Sequence, residues 1–142
     1  PVVVDRKISG VEALRIGSME FKLCGEPSHT EGSMVTQFTC HGKSFIMWGD
    51  LVYADGAMGY LDFHNGSNVP NYIRFLERLK RDPPGFILPG HGVWYRYSDA
   101  PIDRALDRLR FYRDKPEFGN AGSTSISDTG WDPPEHPIPN FL

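Results

Sequence analysis

The sequence predicts an α/β chain of the α+β kind, in which one mixed sheet carries helices on one of its faces. Short segments in the first half alternate apolar and polar residues, as half-buried strands do. Two later segments repeat apolar residues at helical spacing. The segment 44–48 is almost continuously apolar, which favours a strand buried on both faces. Because a sheet needs both faces covered, the chain is predicted to form half of an αββα sandwich.

The predicted strands are short and lie mainly in the first half of the chain. The third and fourth are expected to form a hairpin around the Gly-containing turn 39–43. The last leads directly into a Pro-Gly-His-Gly corner. The five predicted strands are residues 2–4, 15–24, 34–38, 44–48 and 86–88.

Two helices are predicted from apolar periodicity and from their stop signals. The first covers residues 70–81 and ends at Asp-Pro-Pro-Gly, because proline cannot continue a helix. The second covers residues 101–113, with Ser98 or Asp99 as the N-cap and Pro101 in the first turn. Residues 1–115 are therefore predicted to form the folded unit. Residues 116–142, rich in Pro and Gly, are predicted to be an irregular tail packed on it.

Composition argues against several classes of partner. The chain has 142 residues and a net charge of −3, with no basic stripe, so nucleic acid is not expected as a partner. No apolar run reaches the ~20 residues of a membrane helix, so no membrane partner is expected. The compartment stays open, with the cytoplasm favoured. Cys24 and Cys40 are predicted to be free thiols, although a disulfide between neighbouring strands remains an alternative.

Three motifs place a His or Asp directly after an apolar run. They are Pro-Ser-His-Thr-Glu-Gly-Ser at 27–33, Trp-Gly-Asp at 48–50 and Leu-Pro-Gly-His-Gly at 88–92. Imidazole and carboxylate groups at strand ends are the ligands that zinc or iron sites use. His29, Asp50 and His91 are therefore candidate metal ligands. The alternative is a turn-capping role for Asp50 and packing roles for the histidines.

The motifs resemble those of the metallo-β-lactamase superfamily, in which P-G-H-T-x-G-S, an apolar strand ending in Gly-Asp, and P-G-H-G follow in this order. The likeness runs from about residue 20 to residue 92 and looks most like the lactonase and cyclase-like branches. It implies two metal ions, zinc by preference with iron or manganese as alternatives. His29 would bind the first ion, Asp50 would bridge both, and His91 would bind the second.

The chain departs from the superfamily pattern in two places. Ser28 stands where the superfamily usually has glycine. The first superfamily signature, H-x-H-x-D-H, is absent from the sequence. The chain therefore resembles the C-terminal half of the fold. The resemblance implies that an N-terminal half or a second chain carrying that signature completes the site. In the second case the protein would be an oligomer.

The implied activity is a metal-dependent hydrolase that directs a metal-bridging hydroxide at an ester, lactone or related acyl substrate. Asp50 and Tyr53 are the predicted catalytic residues, with Tyr53 and His64 as predicted substrate contacts. In the lactonase branch a tyrosine just beyond the bridging aspartate contacts the substrate carbonyl, although Tyr53 could instead only pack and His64 could be a surface residue. Two alternatives remain: an iron-dependent oxidoreductase or dioxygenase, and a non-catalytic half-domain subunit.

Overall fold

A six-stranded mixed sheet forms the centre of the computed structural model, which describes residues 3, 6–61 and 65–114. The strands lie in chain order, and every neighbouring pair is antiparallel except the parallel pair β4–β5. The predicted α+β class is confirmed. The strands are β1 (Val11–Ile16), β2 (Met19–Gly25), β3 (Met34–Cys40), β4 (Lys43–Met47), β5 (Phe86–Leu88) and β6 (Tyr95–Arg96).

The predicted single strand 15–24 is wrong, because the chain turns back within it. Ile16 pairs with Met19, and the turn between them has Gly17 at φ +59°. Only glycine adopts such a φ without strain, so the reversal occurs at this position. The two-residue strand β6 was not predicted. Of the predicted strand 2–4 the structure describes only Val3, which lies in no strand.

The predicted hairpin of β3 and β4 is confirmed, and its turn is two residues long. Cys40 pairs with Lys43, and the two turn residues His41 and Gly42 have φ values of 48° and 72°. Positive φ at both positions is typical of a type I′ turn, whose twist matches that of the strands it joins.

Both predicted helices are present, with starts one or two residues earlier than expected. Helix α1 (Val69–Arg81) begins after Asn68, whose side chain accepts a hydrogen bond from the backbone N–H of Asn71. Helix α2 (Asp99–Asp114) packs against α1. Ion pairs of Lys80 with Asp103 and of Arg110 with Glu77 connect the two helices.

The core lies between the helices and one face of the sheet. Ile46 of β4 and Ile87 of β5 are fully buried there against α1 and α2. Burying one such side chain stabilises the fold by roughly 1.5–3 kcal/mol. The loops that follow β4 and β5 begin at the C-terminal ends of these two strands.

The opposite face of the sheet is apolar and open in the described part of the chain. Neighbouring ring centroids in its row of phenylalanines lie 5.1–5.2 Å apart, and Trp94 contacts the last ring at 5.8 Å. Met47 is 44% exposed and Trp94 67% exposed. The prediction that strand 44–48 is buried on both faces therefore holds for one face only within these residues. This open sheet face consists of Phe21, Phe38, Phe45, Phe86 and Trp94.

Residues 116–142 lie outside the described residues, so the division into a folded unit and a packed tail stays a prediction. Cys24 and Cys40 are free thiols. Among the described helices, none is long and apolar enough to cross a bilayer.

Candidate metal centre

The loops after β2, β4 and β5 bring His29, Asp50 and His91 together. His29 Nε2 lies 3.9 Å from Asp50 Oδ2, and His91 Nε2 lies 3.6 Å from Asp50 Oδ1. Each imidazole thus faces a different oxygen of one carboxylate. His29 and Asp50 are half-buried, whereas the side chain of His91 is 75% exposed.

These separations suit a cation better than direct contact. Both exceed the 2.7–3.2 Å range of a hydrogen bond. Both are shorter than the sum of two metal–ligand bonds of about 2.0–2.2 Å each. His29, Asp50 and His91 are therefore the residues that would hold metal ions here, and their imidazole and carboxylate donors are of the kinds that zinc takes.

The described residues do not by themselves complete a metal site. No group of three or more His, Cys, Asp or Glu side chains within 6–61 and 65–114 converges on one point. Each of the two pairs supplies two donors, whereas zinc is normally four-coordinate. His29 Nδ1 is buried and has no hydrogen-bond partner among the described residues. Metal-binding histidines usually donate that second N–H to a partner.

Ser28 fits into the loop before His29, although glycine is usual at this position in the motif that the sequence resembles. The residue is fully buried, and its hydroxyl donates to Glu26 Oε1 at 3.0 Å. Its φ is not positive, since His41 is the one non-glycine residue with positive φ in the described segments. Arg78 of α1 donates to the other oxygen of Glu26 at 2.8 Å. A serine is therefore accommodated without backbone strain.

The start of α1 holds the same loop through its backbone carbonyls. Asn71 donates to the carbonyl of Pro27 at 3.0 Å, and the N–H of Asn68 donates to that of Ser28 at 2.7 Å. The hydroxyl of Ser67 donates to the carbonyl of His29. Three consecutive carbonyls are thus fixed to one helix end, so the imidazole of His29 is carried on a rigid segment.

Two glycines leave the space that the side chains of the candidate ligands occupy. A Cβ on Gly90 would lie 2.6 Å from Asp50 Oδ1. A Cβ on Gly59 would lie 2.7 Å from both the Asp50 carbonyl oxygen and His29 Cε1. Real Cβ atoms do not approach so closely, because packed interiors exclude such overlaps. Both positions therefore require glycine as long as the side chains of His29 and Asp50 keep these places.

Tyr53 lies beside the cluster, and its catalytic role stays a prediction. Its ring contacts that of His91 edge-on, with centroids 6.2 Å apart. Burial raises the pKa of the Tyr53 phenol, and the charge of Asp50 together with a hydrogen bond to its carboxylate raises that pKa further. The phenol therefore stays protonated at neutral pH and can donate. His64, the other predicted substrate contact, lies outside the described residues.

A cavity of about 460 Å³ opens over the cluster. A pocket of this size holds a small molecule. Met58 and Tyr60 give its wall apolar surface, while Thr30 and Asn65 give it polar groups. Its lining residues are His29, Thr30, Asp50, Tyr53, Met58, Gly59, Tyr60, Asn65 and His91.

Sequence reasoning missed the residues that support the candidate ligands. Tyr72 and Tyr95 donate hydrogen bonds to backbone carbonyls next to Asp50. Tyr72 fits the apolar stripe of α1 as well as a phenylalanine would, so its hydroxyl carries no sequence signal. No sequence motif marks Gly59 either, whereas Gly90 belongs to the Pro-Gly-His-Gly corner.

Solved structures with the same fold identify the architecture. One is described as the first B3 metallo-β-lactamase with an active-site glutamic acid (TM-score 0.55, 22% identity, 85% of this chain and 50% of that chain). Another is a metallo-β-lactamase from Pontibacter korlensis (TM-score 0.57, 18% identity, 75% and 48%). The chain has the metallo-β-lactamase fold.

ETHE1 from Myxococcus xanthus shares this metallo-β-lactamase fold, with a TM-score of 0.57, 17% identity, and coverage of 88% of this chain and 60% of that chain. The chain therefore spans about half to three fifths of the length of these three structures. No protein-family profile and no curated protein matches the sequence. At these identities the likeness establishes the metallo-β-lactamase fold and its mixed sheet, and no more.

Proposed function

We propose that the chain carries one half of a dinuclear metal site in a hydrolase of esters, lactones or related acyl compounds. The observation that carries the proposal is the pairing of two imidazole nitrogens with the two oxygens of Asp50. At 3.6 and 3.9 Å these atoms are too far apart for hydrogen bonds and close enough to share ions. Zinc is the proposed metal because imidazole and carboxylate ligands suit it.

A divalent ion pair there would supply Lewis-acid activation of water and of a substrate carbonyl at neutral pH. The contribution of the chain is orientation and proton donation. Asp50 would fix the spacing of the two halves of the site, because both histidines face it. Tyr53 stays protonated and would donate to the oxygen of a carbonyl that becomes negative during attack.

The walls of the cavity favour a small acyl compound. The exposed ring of Tyr60 and the buried Met58 offer apolar contact, whereas the candidate ligands and Asn65 contribute polar groups to the lining. No lysine or arginine lines this cavity among the described residues. Apart from the proposed metal ions, a substrate with several phosphate groups would meet no cationic partner among these lining residues, so a neutral ester or lactone fits better.

We further propose that an N-terminal half or a second chain with the H-x-H-x-D-H signature covers the open sheet face. The row of four contacting phenylalanines and Trp94 offers an apolar surface of the kind that a second sheet packs on. The two donors in each pair also leave coordination positions for histidines from outside this chain. One added element would thus meet both requirements.

The test compares metal content and hydrolysis in the protein purified from its source, in whatever polypeptide or complex contains this chain. Bound metal is measured by elemental analysis, and hydrolysis is followed with a chromogenic ester and a lactone. Asp50→Asn keeps the shape of the side chain and removes its charge, so it should lose metal and hydrolysis together. The matched control is Asp107→Asn, at an exposed position of α2.

Zinc in the parent protein, with hydrolysis that disappears in Asp50→Asn and persists in Asp107→Asn, would support the proposal. Undiminished hydrolysis by Asp50→Asn would overturn it. Iron with oxygen consumption and no hydrolysis would also overturn it, in favour of the oxidoreductase alternative. A metal-free parent protein without hydrolysis would leave the non-catalytic subunit as the better account.

A further inference from the structure

The backbone of the loop that carries Asp50 and Tyr53 is held by side chains from other elements. The hydroxyl of Tyr72 in α1 donates to the carbonyl of Leu51 and lies 3.3 Å from that of Asp50. The hydroxyl of Tyr95 in β6 donates to the carbonyl of Val52 at 3.1 Å. Three successive carbonyls are thus within reach of two phenolic hydroxyls.

Further bonds close this loop on itself and against α2. The N–H of Gly59 donates to the Asp50 carbonyl at 2.9 Å, and the N–H of Tyr53 donates to the Ala57 carbonyl at 2.8 Å.

Two further donors lie outside the loop. Arg104 of α2 donates to the carbonyl of Asp55 at 2.7 Å. The indole N–H of Trp48 also donates to the Val52 carbonyl, at 3.1 Å. The loop is therefore a compact unit whose orientation depends on its outside donors.

The two tyrosines connect this loop to the segments that carry the histidines. Tyr95 follows His91 by four residues in the chain, so its bond to Val52 ties the His91 segment to the Asp50 loop. Tyr72 belongs to α1, and Asn71 in the first turn of that helix, together with the two residues just before the helix, holds the carbonyls of residues 27–29. Each hydroxyl thereby fixes Asp50 relative to one histidine.

The hydroxyls do something that apolar packing cannot. The Tyr72 ring is fully buried in the core, and a phenylalanine ring would fill nearly the same space. A hydrogen bond to a carbonyl additionally fixes the rotation of that peptide unit. The peptides of residues 50–52 set the directions in which the side chains of Asp50 and Tyr53 leave the backbone. Ligand groups need positions held to within about 0.5 Å.

We propose that Tyr72 and Tyr95 are positioning residues of the metal centre, which orient Asp50 and Tyr53 through the carbonyls of Leu51 and Val52. This inference rests on the proposed function for its consequence in metal binding. Its structural part, the control of the Asp50 loop by two hydroxyls, is measurable without any metal.

The test uses Tyr72→Phe and Tyr95→Phe in the full chain. The matched control is Tyr97→Phe, which removes a hydroxyl that donates to the exposed Asp99 at 2.7 Å, away from the cluster. Amide hydrogen exchange of Tyr53 and Gly59 is measured by NMR without metal. Cobalt(II) is then titrated in as a spectroscopic probe, and its visible absorption spectrum and apparent affinity are recorded beside the thermal midpoint.

In Tyr95→Phe, we expect exchange at Tyr53 and Gly59 to rise about five- to tenfold, the effect of losing one ordinary hydrogen bond. The apparent cobalt affinity should fall by roughly 10–100-fold, as for other outer partners of metal ligands. The cobalt spectrum should change shape, whereas Tyr97→Phe should leave all three readouts unchanged. A role in stability alone would lower the thermal midpoint and leave the cobalt spectrum at saturation as in the parent chain.

Unchanged exchange at Tyr53 and Gly59 in a folded Tyr95→Phe chain would overturn the inference, whatever the metal does. Increased exchange with an unchanged cobalt spectrum and affinity would overturn it as well. If the parent chain itself binds no cobalt, its candidate ligands do not hold an ion without the half that would complete the site, and the exchange data still decide whether the hydroxyls hold the loop. Should Tyr72→Phe not fold, Tyr95→Phe decides alone, because Tyr95 is only partly buried.

Discussion

The backbone N–H of Gly90 donates a hydrogen bond of 2.7 Å to the carbonyl of Gly49, and each glycine immediately precedes a candidate ligand. The bond continues the parallel pairing of β4 with β5, which ends at Met47 and Leu88. The separation of His91 from Asp50 is therefore set by the sheet, and loop flexibility contributes little to it.

Gly90→Ala should impair the metal centre far more than it impairs folding. The new Cβ would meet Asp50 Oδ1 at 2.6 Å, and that carboxylate can rotate away, whereas the Gly49 backbone at 3.2 Å needs to yield only slightly. We expect unfolding free energy to fall by less than about 1 kcal/mol, near the usual effect of a point mutation. Zinc affinity should fall about tenfold or more. Urea unfolding and isothermal titration measure the two effects.

Gly32→Ala is the control, because nothing lies within 4 Å of a Cβ there. It should leave both quantities nearly unchanged. Equal zinc affinity in Gly90→Ala and the parent chain would show that zinc binding does not depend on the present position of the Asp50 carboxylate.

Arg78→Met should destabilise the fold by roughly 1–3 kcal/mol, because it leaves the buried Glu26 carboxylate without its charged partner. Methionine retains most of the apolar stem, so packing changes little. Arg74→Met, one turn earlier on an exposed face of α1, should cost less than about 0.5 kcal/mol. Urea midpoints of the two variants give the comparison. Equal midpoints would show that the ion pair of Arg78 with Glu26 does not stabilise the fold.

Stability should decline as pH rises above about 10, the ordinary pKa of tyrosine. Burial raises the pKa of Tyr72 and Tyr95 in the folded chain. The folded state therefore keeps protons that the unfolded state releases, and each group lowers stability by up to about 1.4 kcal/mol per pH unit in that range. Below pH 10 neither group contributes a pH dependence.

Urea unfolding between pH 8 and pH 11.5 measures this slope, with tyrosine absorbance near 295 nm as the check on ionisation. Tyr95→Phe should reduce the slope above pH 10. If the slope of stability against pH is the same in Tyr95→Phe as in the parent chain, the pKa of Tyr95 does not differ between the folded and unfolded states.

Tyr53→Phe should lower kcat by at most about 10²–10³ in the complete protein, the scale for one donor to a developing negative oxygen. The ring packing against His91 is kept, so folding should hardly change. Tyr60→Phe is the control, since Tyr60 lines the same cavity with an exposed ring. An unchanged kcat in Tyr53→Phe would assign that residue to packing and leave the metal ligands unaffected.

The strands and helices with clear periodicity were predictable, because apolar spacing reports which side of an element is buried. The turn at Gly17 was not, since the alternation in 11–16 continues into 19–25 and a lone glycine does not reveal its φ. Strand β6 has only two residues and is held by pairing with β5, so no local pattern marks it.

The three candidate ligands could be found from their motifs, whereas their supports could not. Tyr72 and Tyr95 act through hydroxyls that reach carbonyls 21 and 43 residues away in sequence. Gly59 matters because His29 and Asp50 approach it in space. Such roles depend on tertiary contacts, and a single sequence does not record them.

The central claim, that His29, Asp50 and His91 form a metal centre, is tested most directly by the side-chain ¹⁵N shifts of the histidines during zinc titration. Weak binding suffices for this measurement, so an incomplete site is no obstacle. The account predicts that Nε2 of His29 and of His91 shift together, and that His41 in its exposed turn does not. In Asp50→Asn both shifts should vanish. Unmoved signals of His29 and His91, or equal shifts of all five histidines, would contradict the account.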